Sequence, residues 1–334
     1  MDFRSLPADE CLKSFKELTQ PSSLPISLIS PIHATCTFIY LKDINIFKFD
    51  GKSFENPYTL RAVKLLAANA TFIAAYQDDQ VRVFEHGFLQ CRYETRKVLH
   101  RIDRLKHGFH VKKVLDLCFS KSEANEMYTF AEDRTVLVWR MQRSHGTKDF
   151  PNSHVLEPGY RASVPESDDL FCFCTARLSQ EIIIMSHGAY FSIFEVPHEW
   201  EFTIIPISLE RKKKVHLECP VLKLATNATS MACLTEEGVM LLNFGGTQLY
   251  KCPKVELSVP PQLVSFSNSW IITTATSIVV LSEKMEVVVA VTLPQKQIFA
   301  TKTFFGVLLN DYSIHTLTAK GIKDMQNKYQ KEQE

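Results

Sequence analysis

Apolar and polar positions alternate along most of the chain in short runs, separated by tight polar turns. A recurring unit joins two apolar runs through a turn that usually carries Asp, Glu, Gly or Asn. Runs rich in β-branched and aromatic residues predict strands, and such turns predict hairpins. Seven hairpins are predicted, at 36–49, 72–85, 127–140, 181–195, 231–244, 270–282 and 304–317.

Further apolar runs extend most of these hairpins to three or four strands. Runs precede the hairpins at 62–67, 114–120, 170–176, 220–225, 262–267 and 296–301, and fourth runs follow at 88–94, 201–207 and 287–293. Units of this kind at intervals of about 34 to 55 residues predict an all-β, seven-bladed β-propeller. Residues 66–81 also resemble residues 224–239 almost literally. A large β-sandwich is the alternative fold, but it gives no reason for such repetition.

The third unit, HVKKVLDLCFSKSEANEMYTFAEDRTVLVWR (110–140), resembles a WD repeat. It has a His before the first strand, an Asp in the hairpin turn and a Trp that closes the third strand. The resemblance implies a buried hydrogen-bond network of His110, Thr129, Asp133 and Trp139. Arg140 replaces the Asp of the WD dipeptide, and the other six units lack the Trp. The sequence therefore resembles a strongly diverged WD-like propeller.

The predicted propeller spans residues 25–320, between an N-terminal extension (1–24) and a charged C-terminal tail (321–334). Both extensions are expected to be short and either helical or flexible. Residues 8–19 have the apolar spacing of a short helix that buries Cys11, Phe15 and Leu18. The N-terminal segment is also a candidate for a strand that closes the ring. The end of the chain is compatible with a helix that frays unless a partner holds it.

The composition fits a chain with a large core. Its 334 residues are 45% hydrophobic and carry a formal net charge of +1, which excludes a disordered or fibrous chain and one that is basic overall. No apolar stretch reaches the roughly 18 residues of a membrane span. The first residues are polar and do not form a signal peptide. We therefore expect a chain of the nucleus and/or cytoplasm, with no membrane span.

The nine cysteines are odd in number and lie mostly inside apolar runs, as reduced, buried intracellular thiols do. Cys172 and Cys174 form the only close pair, and no second Cys/His pair at ligand spacing accompanies them. This pattern favours core packing over a metal site. The sequence also lacks nucleophile-elbow, phosphate-loop and zinc-protease motifs. We expect a chain that is not an enzyme and has no cofactor.

Two segments concentrate positive charge. Residues 92–113 contain eight Lys/Arg against two acids, and residues 211–214 read RKKK. We expect them in the connections between blades two and three and between blades four and five. Three interpretations remain open: a phosphate-binding face for RNA, a patch for an acidic protein partner, and a solvated surface. The candidate contacts are Arg96, Lys97, Arg101, Arg104, Lys112, Lys113, Arg211, Lys212, Lys213 and Lys214.

Two functions fit these observations. The diverged propeller, basic clusters and Lys/Glu/Gln-rich tail resemble the non-catalytic WD-repeat subunit of tRNA guanine-7 methyltransferase. That resemblance implies a scaffold that supports an RNA-modifying catalytic partner and contacts tRNA through the basic connections. The alternative is a general protein-interaction adaptor in a nuclear pore, kinetochore, trafficking or ubiquitin-ligase assembly. The fold alone does not choose between them.

Overall fold

A computed structural model of the chain describes most residues after position 62 and short strands before it. The described residues are 16–18, 26–31, 37–41, 45–49, 54–59, 63–69, 71–77, 80–85, 100–103, 110, 112–120, 125–143, 154–165, 171–200, 206–252, 257–258, 260–293, 295–301, 303–311 and 313–333.

Most of the described residues lie in strands, and one described helix lies near the end of the chain. The strands are β1 (Lys16–Leu18), β2 (Ile26–Pro31), β3 (Thr37–Leu41), β4 (Asn45–Phe49), β5 (Phe54–Thr59), β6 (Leu65–Ala68), β7 (Phe72–Gln77), β8 (Gln80–Glu85), β9 (His100–Asp103), β10 (Val114–Phe119), β11 (Glu126–Ala131), β12 (Thr135–Arg143), β13 (His154–Ser163), β14 (Phe173–Arg177), β15 (Glu181–His187), β16 (Tyr190–Glu195), β17 (Ile207–Ser208), β18 (Arg211–His216), β19 (Val221–Thr226), β20 (Ser230–Thr235), β21 (Gly238–Asn243), β22 (Gln248–Cys252), β23 (Leu263–Phe266), β24 (Ser269–Thr273), β25 (Ser277–Leu281), β26 (Val287–Thr292), β27 (Gln295–Ala300), β28 (Phe305–Leu309) and β29 (Ile314–Leu317). The helix is α1 (Ala319–Gln333).

Within the described residues the strands form seven sheets, which we call blades one to seven in chain order. Their strand orders are β2-β3-β4-β5, β6-β7-β8-β9, β10-β11-β12-β13-β17, β14-β15-β16-β18, β19-β20-β21-β22, β23-β24-β25-β26 and β27-β28-β29-β1. Each predicted hairpin forms the second and third strands of one sheet. The number of blades in the closed ring stays a prediction.

Most first strands of the blades lie beside the first strand of the next blade. Contacts join β2 to β6, β6 to β10, β14 to β19, β19 to β23 and β23 to β27, and β27 returns to β2. Blades three and four meet instead through a shared apolar cluster that contains Tyr128 and Phe173. This arrangement of first strands is that of the inner wall of a propeller. Blade seven is completed by β1, whose Lys16 pairs with Thr316 of β29. The expectation that the N-terminal segment supplies a strand is confirmed, and this strand lies within the predicted extension 1–24.

The apolar core lies between neighbouring blades. On β12, Leu137 and Trp139 pack with Tyr76 of blade two, whereas Val136 and Val138 pack toward blade four. Successive side chains of a strand point to opposite faces, so a strand buried on both faces is apolar at every position. This sandwiching explains why the hairpin strands read as continuous apolar runs.

The near-literal repeat has a structural basis at two turns. The Asn69 Oδ1 accepts the backbone N–H groups of Thr71 and Phe72, each at 2.8 Å. In the second copy, Asn227 Oδ1 accepts those of Thr229 at 2.9 Å and Ser230 at 2.8 Å. Each asparagine therefore stabilises the tight turn between the first two strands of its blade.

The C-terminal tail is a helix that packs on the propeller. Its first turn is capped by Thr318, whose hydroxyl accepts the Gly321 N–H at 3.3 Å. Ile322 and Met325 are buried in the cluster between blades six and seven, and Tyr329 packs against it. Of the two states expected for the C-terminal extension, helical or flexible, the structure shows the helix, and the fraying expected for an isolated tail is countered by this apolar face.

Three expectations about individual segments are corrected or lie outside the described residues. Residues 16–18 form β1 and not part of a helix over 8–19, because they pair with the open edge of β29; Cys11 and Phe15 lie outside the described residues. Blade two ends with β9, and 88–94 lies outside the described residues. In blade four the fourth strand is β18 and not 201–207, because Ile207–Ser208 pairs with β13 of blade three.

Candidate functional site

The four residues of the WD-like network lie together in blade three. The His110 Nε2 lies 2.8 Å from Thr129 Oγ1, and the Trp139 Nε1–H donates to the same oxygen at 2.8 Å. On its other side the imidazole Nδ1 lies 3.4 Å from Asp133 Oδ2. All four residues are buried. A buried carboxylate and imidazole need polar partners, and the network supplies them.

Thr135 is a fifth member that the sequence reasoning missed. Its hydroxyl lies 3.1 Å from His110 Nδ1 and donates to Asp133 Oδ1 at 2.5 Å. The Thr135 backbone N–H also donates to Asp133 Oδ1, at 3.1 Å. The signal that could have identified Thr135 is its place two positions after Asp133. At this spacing its hydroxyl can hydrogen-bond to the Asp133 carboxylate.

One proton arrangement uses these contacts consistently. Trp139 donates to the Thr129 oxygen, and the Thr129 hydroxyl donates to Nε2 of His110 in the tautomer that carries its proton on Nδ1. The Nδ1–H of His110 then faces the Thr135 oxygen, and Thr135 donates to Asp133. This assignment follows from the donor and acceptor inventory of each group. The network links the approach to β10 with β11, the turn and β12.

Arg140, which stands where WD repeats have Asp, has its own partners. It pairs with Glu126 directly across the β11–β12 ladder, with its Nε 3.2 Å from Glu126 Oε1. The guanidinium also lies 4.5 Å from the ring centroid of Trp200. That ring covers Gly159 of β13, where a Cβ would approach it to 2.4 Å. Arg140 of the third strand, β12, is therefore linked to Glu126 of β11 and, through Trp200, to the outer strand β13.

The RKKK run lies on a strand and not in a connection as expected. Arg211–Lys214 open β18, the outer strand of blade four, and all four side chains are exposed. Lysines suit an edge strand because one side of it faces water. The run escaped strand prediction because it has no apolar alternation apart from Val215, which packs against Gly246 of blade five.

The cluster at 92–113 is described only in part. Arg96, Lys97 and Arg104 lie outside the described residues. Arg101 lies on β9, where its backbone pairs with Arg82. Lys112 and Lys113 are exposed immediately before β10. The structure thus gives exposed positions for Lys112 and Lys113 and for the β18 run, on different blades.

A second exposed strand follows in blade five. On β22 the four residues from Gln248 to Lys251 are exposed, including Leu249 at 45% and Tyr250 at 42%. The Lys213 Nζ of β18 donates to the Gly245 carbonyl in the turn before β22. The outer edges of blades four and five are therefore neighbouring parts of one surface. The sequence reasoning did not single out Leu249 or Tyr250, because isolated apolar residues carry no surface signal.

The six described cysteines form no disulfide bond. Cys172 and Cys174 pack with buried Cys233 in the cluster between blades four and five. Burial raises the pKa of Cys172 to about 11, although the Ser186 hydroxyl 3.0 Å away opposes this shift. A thiol with a raised pKa is a poor nucleophile. Among the described residues no group of three or more His, Cys, Asp or Glu side chains could hold a metal ion.

Asp116 is a further titratable residue that the sequence reasoning missed. It lies on β10 at the inner wall, and its Oδ1 accepts the Leu117 N–H at 2.8 Å. Burial raises the pKa of Asp116, while the positive charge of Lys223 on β19 of blade five opposes that shift. An acid inside the apolar run VLDLCF was the available signal, because such a residue needs a polar or central environment.

Comparison with known proteins identifies the fold. The solved structure of U3-55K, a WD40 β-propeller protein, matches with a TM-score of 0.58 over 91% of this chain and 98% of that chain. The chain has a WD40-type β-propeller fold. The two sequences are 13% identical, so the likeness concerns the fold alone. No family model and no curated protein sequence matches the chain. In total 984 solved chains match this structure, and so broad a set does not select a function.

The described helix does not have the length or apolarity needed to cross a bilayer.

Proposed function

We propose that this chain is a non-catalytic scaffold subunit of a multiprotein complex. The observation that carries the proposal is the exposed outer edge of blades four and five, where β18 presents Arg211–Lys214 and β22 presents Leu249 and Tyr250. Mixed basic, aromatic and aliphatic exposure on a rigid sheet edge is typical of a recognition surface. The absence of disulfide bonds among the six described cysteines supports an intracellular compartment, the nucleus and/or cytoplasm.

Within this role we propose that the chain supports an RNA-modifying catalytic partner of the tRNA methyltransferase type. Support comes from the WD-like third blade and from exposed basic residues on two blades, Lys112 and Lys113 before β10 and the run on β18. Lysine and arginine contacts to phosphates release counterions and need no base readout. The catalytic site would lie on the partner chain.

A general protein-interaction adaptor is the second candidate. Leu249 and Tyr250 favour it, because exposed apolar side chains on neighbouring strand positions contribute to protein interfaces more than to phosphate contacts. This candidate requires stable protein partners and no salt-sensitive binding of RNA.

The test is a native affinity purification that is divided for identification of bound protein and of bound RNA. A methyltransferase-like partner together with tRNA would support the RNA-modification role. Subunits of a structural complex without RNA would support the adaptor. Recovery of neither protein nor RNA would contradict the scaffold proposal.

A quantitative test follows the salt dependence of tRNA affinity. If about four phosphates are contacted by the β18 run, the logarithm of affinity should fall with the logarithm of salt at a slope of about −3 to −4. The variant Arg211→Glu/Lys212→Glu/Lys214→Glu should flatten that slope. Lys320→Glu/Lys323→Glu, which changes two exposed lysines of α1, is the control. A slope that the first variant leaves unchanged would remove β18 from the RNA contacts.

A further inference from the structure

We propose that the outer edge of blade four binds an extended acidic segment of a partner protein by strand addition. The binding element is the free side of β18, with its backbone groups and the basic side chains Arg211–Lys214. This inference rests on the proposed scaffold function and names the chemistry of one partner contact.

Within the part of the chain that the structure describes, β18 has an outer hydrogen-bonding edge that no other strand covers. It pairs with β16 on one side, and no described strand pairs with the other. The Leu217 N–H donates inward to the Ala189 carbonyl at 2.7 Å, one position beyond the pairing of His216 with Tyr190. Inward and outward positions alternate along an antiparallel strand. The backbone N–H and C=O of Lys214 and His216 therefore point outward, where an added strand would pair.

The basic side chains flank this edge on both faces of the sheet. Lys213 reaches toward blade five, where its Nζ donates to the Gly245 carbonyl. Lys214 lies on the opposite face, with its Nζ 4.1 Å from the ring centroid of Tyr190. A ligand that lies in the plane of the sheet can be contacted by the basic side chains of both faces. A ligand that lies on one face can be contacted by only some of Arg211–Lys214.

The edge formed by Arg211–Lys214 carries an excess of positive charge. The described ion pair of the run joins Lys212 to Glu210 at 3.6 Å, between side chains that are 48% and 84% exposed. Such an exposed pair is weak and opens at little cost. Four positive charges therefore face one adjacent carboxylate on this edge. The complementary ligand carries carboxylates at successive positions.

Blade three shows the same mode of addition within the chain. Its outer strand β13 is joined by β17 in parallel, with Tyr160 paired to Ile207 and Arg161 to Ser208. The Leu209 N–H then donates to the Arg161 carbonyl at 2.7 Å. The edge of a neighbouring blade thus accepts a short extended segment as an additional strand. On blade four a segment of a partner protein would pair with β18, as β17 of the same chain pairs with β13 on blade three.

These observations favour a peptide over RNA. Strand addition uses the outward N–H and C=O groups of β18 as well as its charges, and a nucleic acid backbone has no N–H donor to complete the ladder. An acidic extended peptide satisfies the backbone groups and the lysines together.

The test measures binding of a fluorescein-labelled peptide of about eight residues, in which Glu residues at successive positions are flanked by Val, by anisotropy with the full chain. A matched peptide with alternate backbone nitrogens methylated keeps the charge and removes donors on one edge. A single-stranded oligouridylate of equal charge is the RNA probe. We expect the plain peptide to bind at least about tenfold more tightly than either of the other probes. The charge-reversed variant Arg211→Glu/Lys212→Glu/Lys214→Glu should lose at least about tenfold in affinity.

The control variant Lys320→Glu/Lys323→Glu should bind the plain peptide as the unmodified chain does. Melting curves of both variants check that the fold is kept. Equal binding of the plain and methylated peptides, or equal binding of the oligouridylate, would overturn strand addition in favour of a simple polyanion patch. Absence of peptide binding would also overturn it, and the lysines would then serve only to prevent unwanted edge pairing.

Failure of this inference differs from failure of the scaffold function. A chain that recovers a protein partner in the affinity purification but does not bind the plain peptide keeps the scaffold function and loses the edge assignment. If the chain recovers no partner, the scaffold function fails whatever the peptide does.

Discussion

Blades three and five build the same sheet by different means. Blade three links its strands through the buried network of His110, Thr129, Thr135, Asp133 and Trp139. At the corresponding hairpin, blade five buries Met231, Cys233, Met240 and Leu242 in an apolar cluster.

The backbone irregularities of the two blades nevertheless coincide. In each, the register shifts near the start of the first strand, between Val114 and Asp116 and between Val221 and Lys223. A second shift lies between the third and fourth strands, at Val138/Trp139 and at Leu241/Leu242. The polar network is therefore not needed to set the blade geometry. The network adds directional hydrogen bonds, and removing one member leaves its partners without a bond. The stability of apolar packing depends instead on how much side-chain volume a substitution removes.

The largest effect is expected from Trp139→Ala in blade three. The ring is 1% exposed, so its removal leaves a cavity. It also removes the indole N–H that donates to the Thr129 hydroxyl oxygen. We expect the free energy of unfolding to fall by about 3–5 kcal/mol in denaturant titrations. Trp139→Phe keeps most of the ring volume and loses the indole N–H, and should cost about 1 kcal/mol. Equal losses in both variants would mean that the hydrogen bond, and not the packing, dominates.

The next effect is expected from Asp133→Ala. It leaves the Thr135 hydroxyl and the His110 Nδ1 without their carboxylate, at a cost of about 1–3 kcal/mol in the same titration. Because both residues belong to one network, Thr135→Val in the Asp133→Ala background should cost less than it does alone. Strictly additive losses would contradict the cooperative network and make blade three resemble blade five.

A smaller effect is expected from Leu242→Met in blade five. Leu242 is buried in an apolar cluster and has no polar partner to lose. A swap that conserves volume should therefore cost less than about 1.5 kcal/mol, measured by thermal and chemical unfolding. A cost above that of Asp133→Ala would show that packing in blade five is as specific as the polar network.

The smallest effect concerns the charge that couples the two blades. Burial raises the pKa of Asp116 above its ordinary 3.8, with Lys223 of blade five opposing the shift. Just above pH 3.8 the folded state holds a proton that the unfolded chain has released, so the contribution of Asp116 to stability falls as the pH rises through that window. Asp116→Asn should raise the melting temperature slightly at neutral pH, and the gain should vanish below pH 3.8.

Asp311 provides a control of opposite sign for that measurement. Hydrogen bonds from the Ser313 hydroxyl and backbone N–H lower the pKa of Asp311. Its stabilising contribution is present above pH 3.8 and is lost as the pH falls through the lowered pKa. Asp311→Asn should therefore lower the melting temperature at neutral pH. A gain in both variants would show that the measurement reports overall charge and not the two local environments.

The sequence predicted the hairpins because strand alternation and turn chemistry are local properties. Blade three was predicted in more detail because the spacing of His110, Asp133 and Trp139 follows a known motif, and the structure joins these residues by hydrogen bonds through Thr129 and Thr135. Local patterns could not reveal β18, since RKKK has the composition of a solvated loop and becomes a strand only through backbone pairing with β16.

The remaining misses also depend on distant partners. Ile207–Ser208 is a strand because β13 offers an edge, and Lys16–Leu18 is one because β29 does. The surface formed by β18 and β22 depends on the juxtaposition of two blades, with Gly246 against Val215. Side-chain patterns within a single unit carry no information about such juxtapositions.

The pairing of β1 with β29 also affects how the chain folds during synthesis. The paired residues Lys16 and Thr316 are about 300 positions apart. Six blades can form in order as the chain leaves the ribosome, but the seventh must wait until β29 has emerged. Closure of so long a loop is slow and places the completed ring at the end of the folding pathway. Until then the edge of β29 stays open, so the last blade is where a nascent chain is most exposed to pairing with the wrong strand.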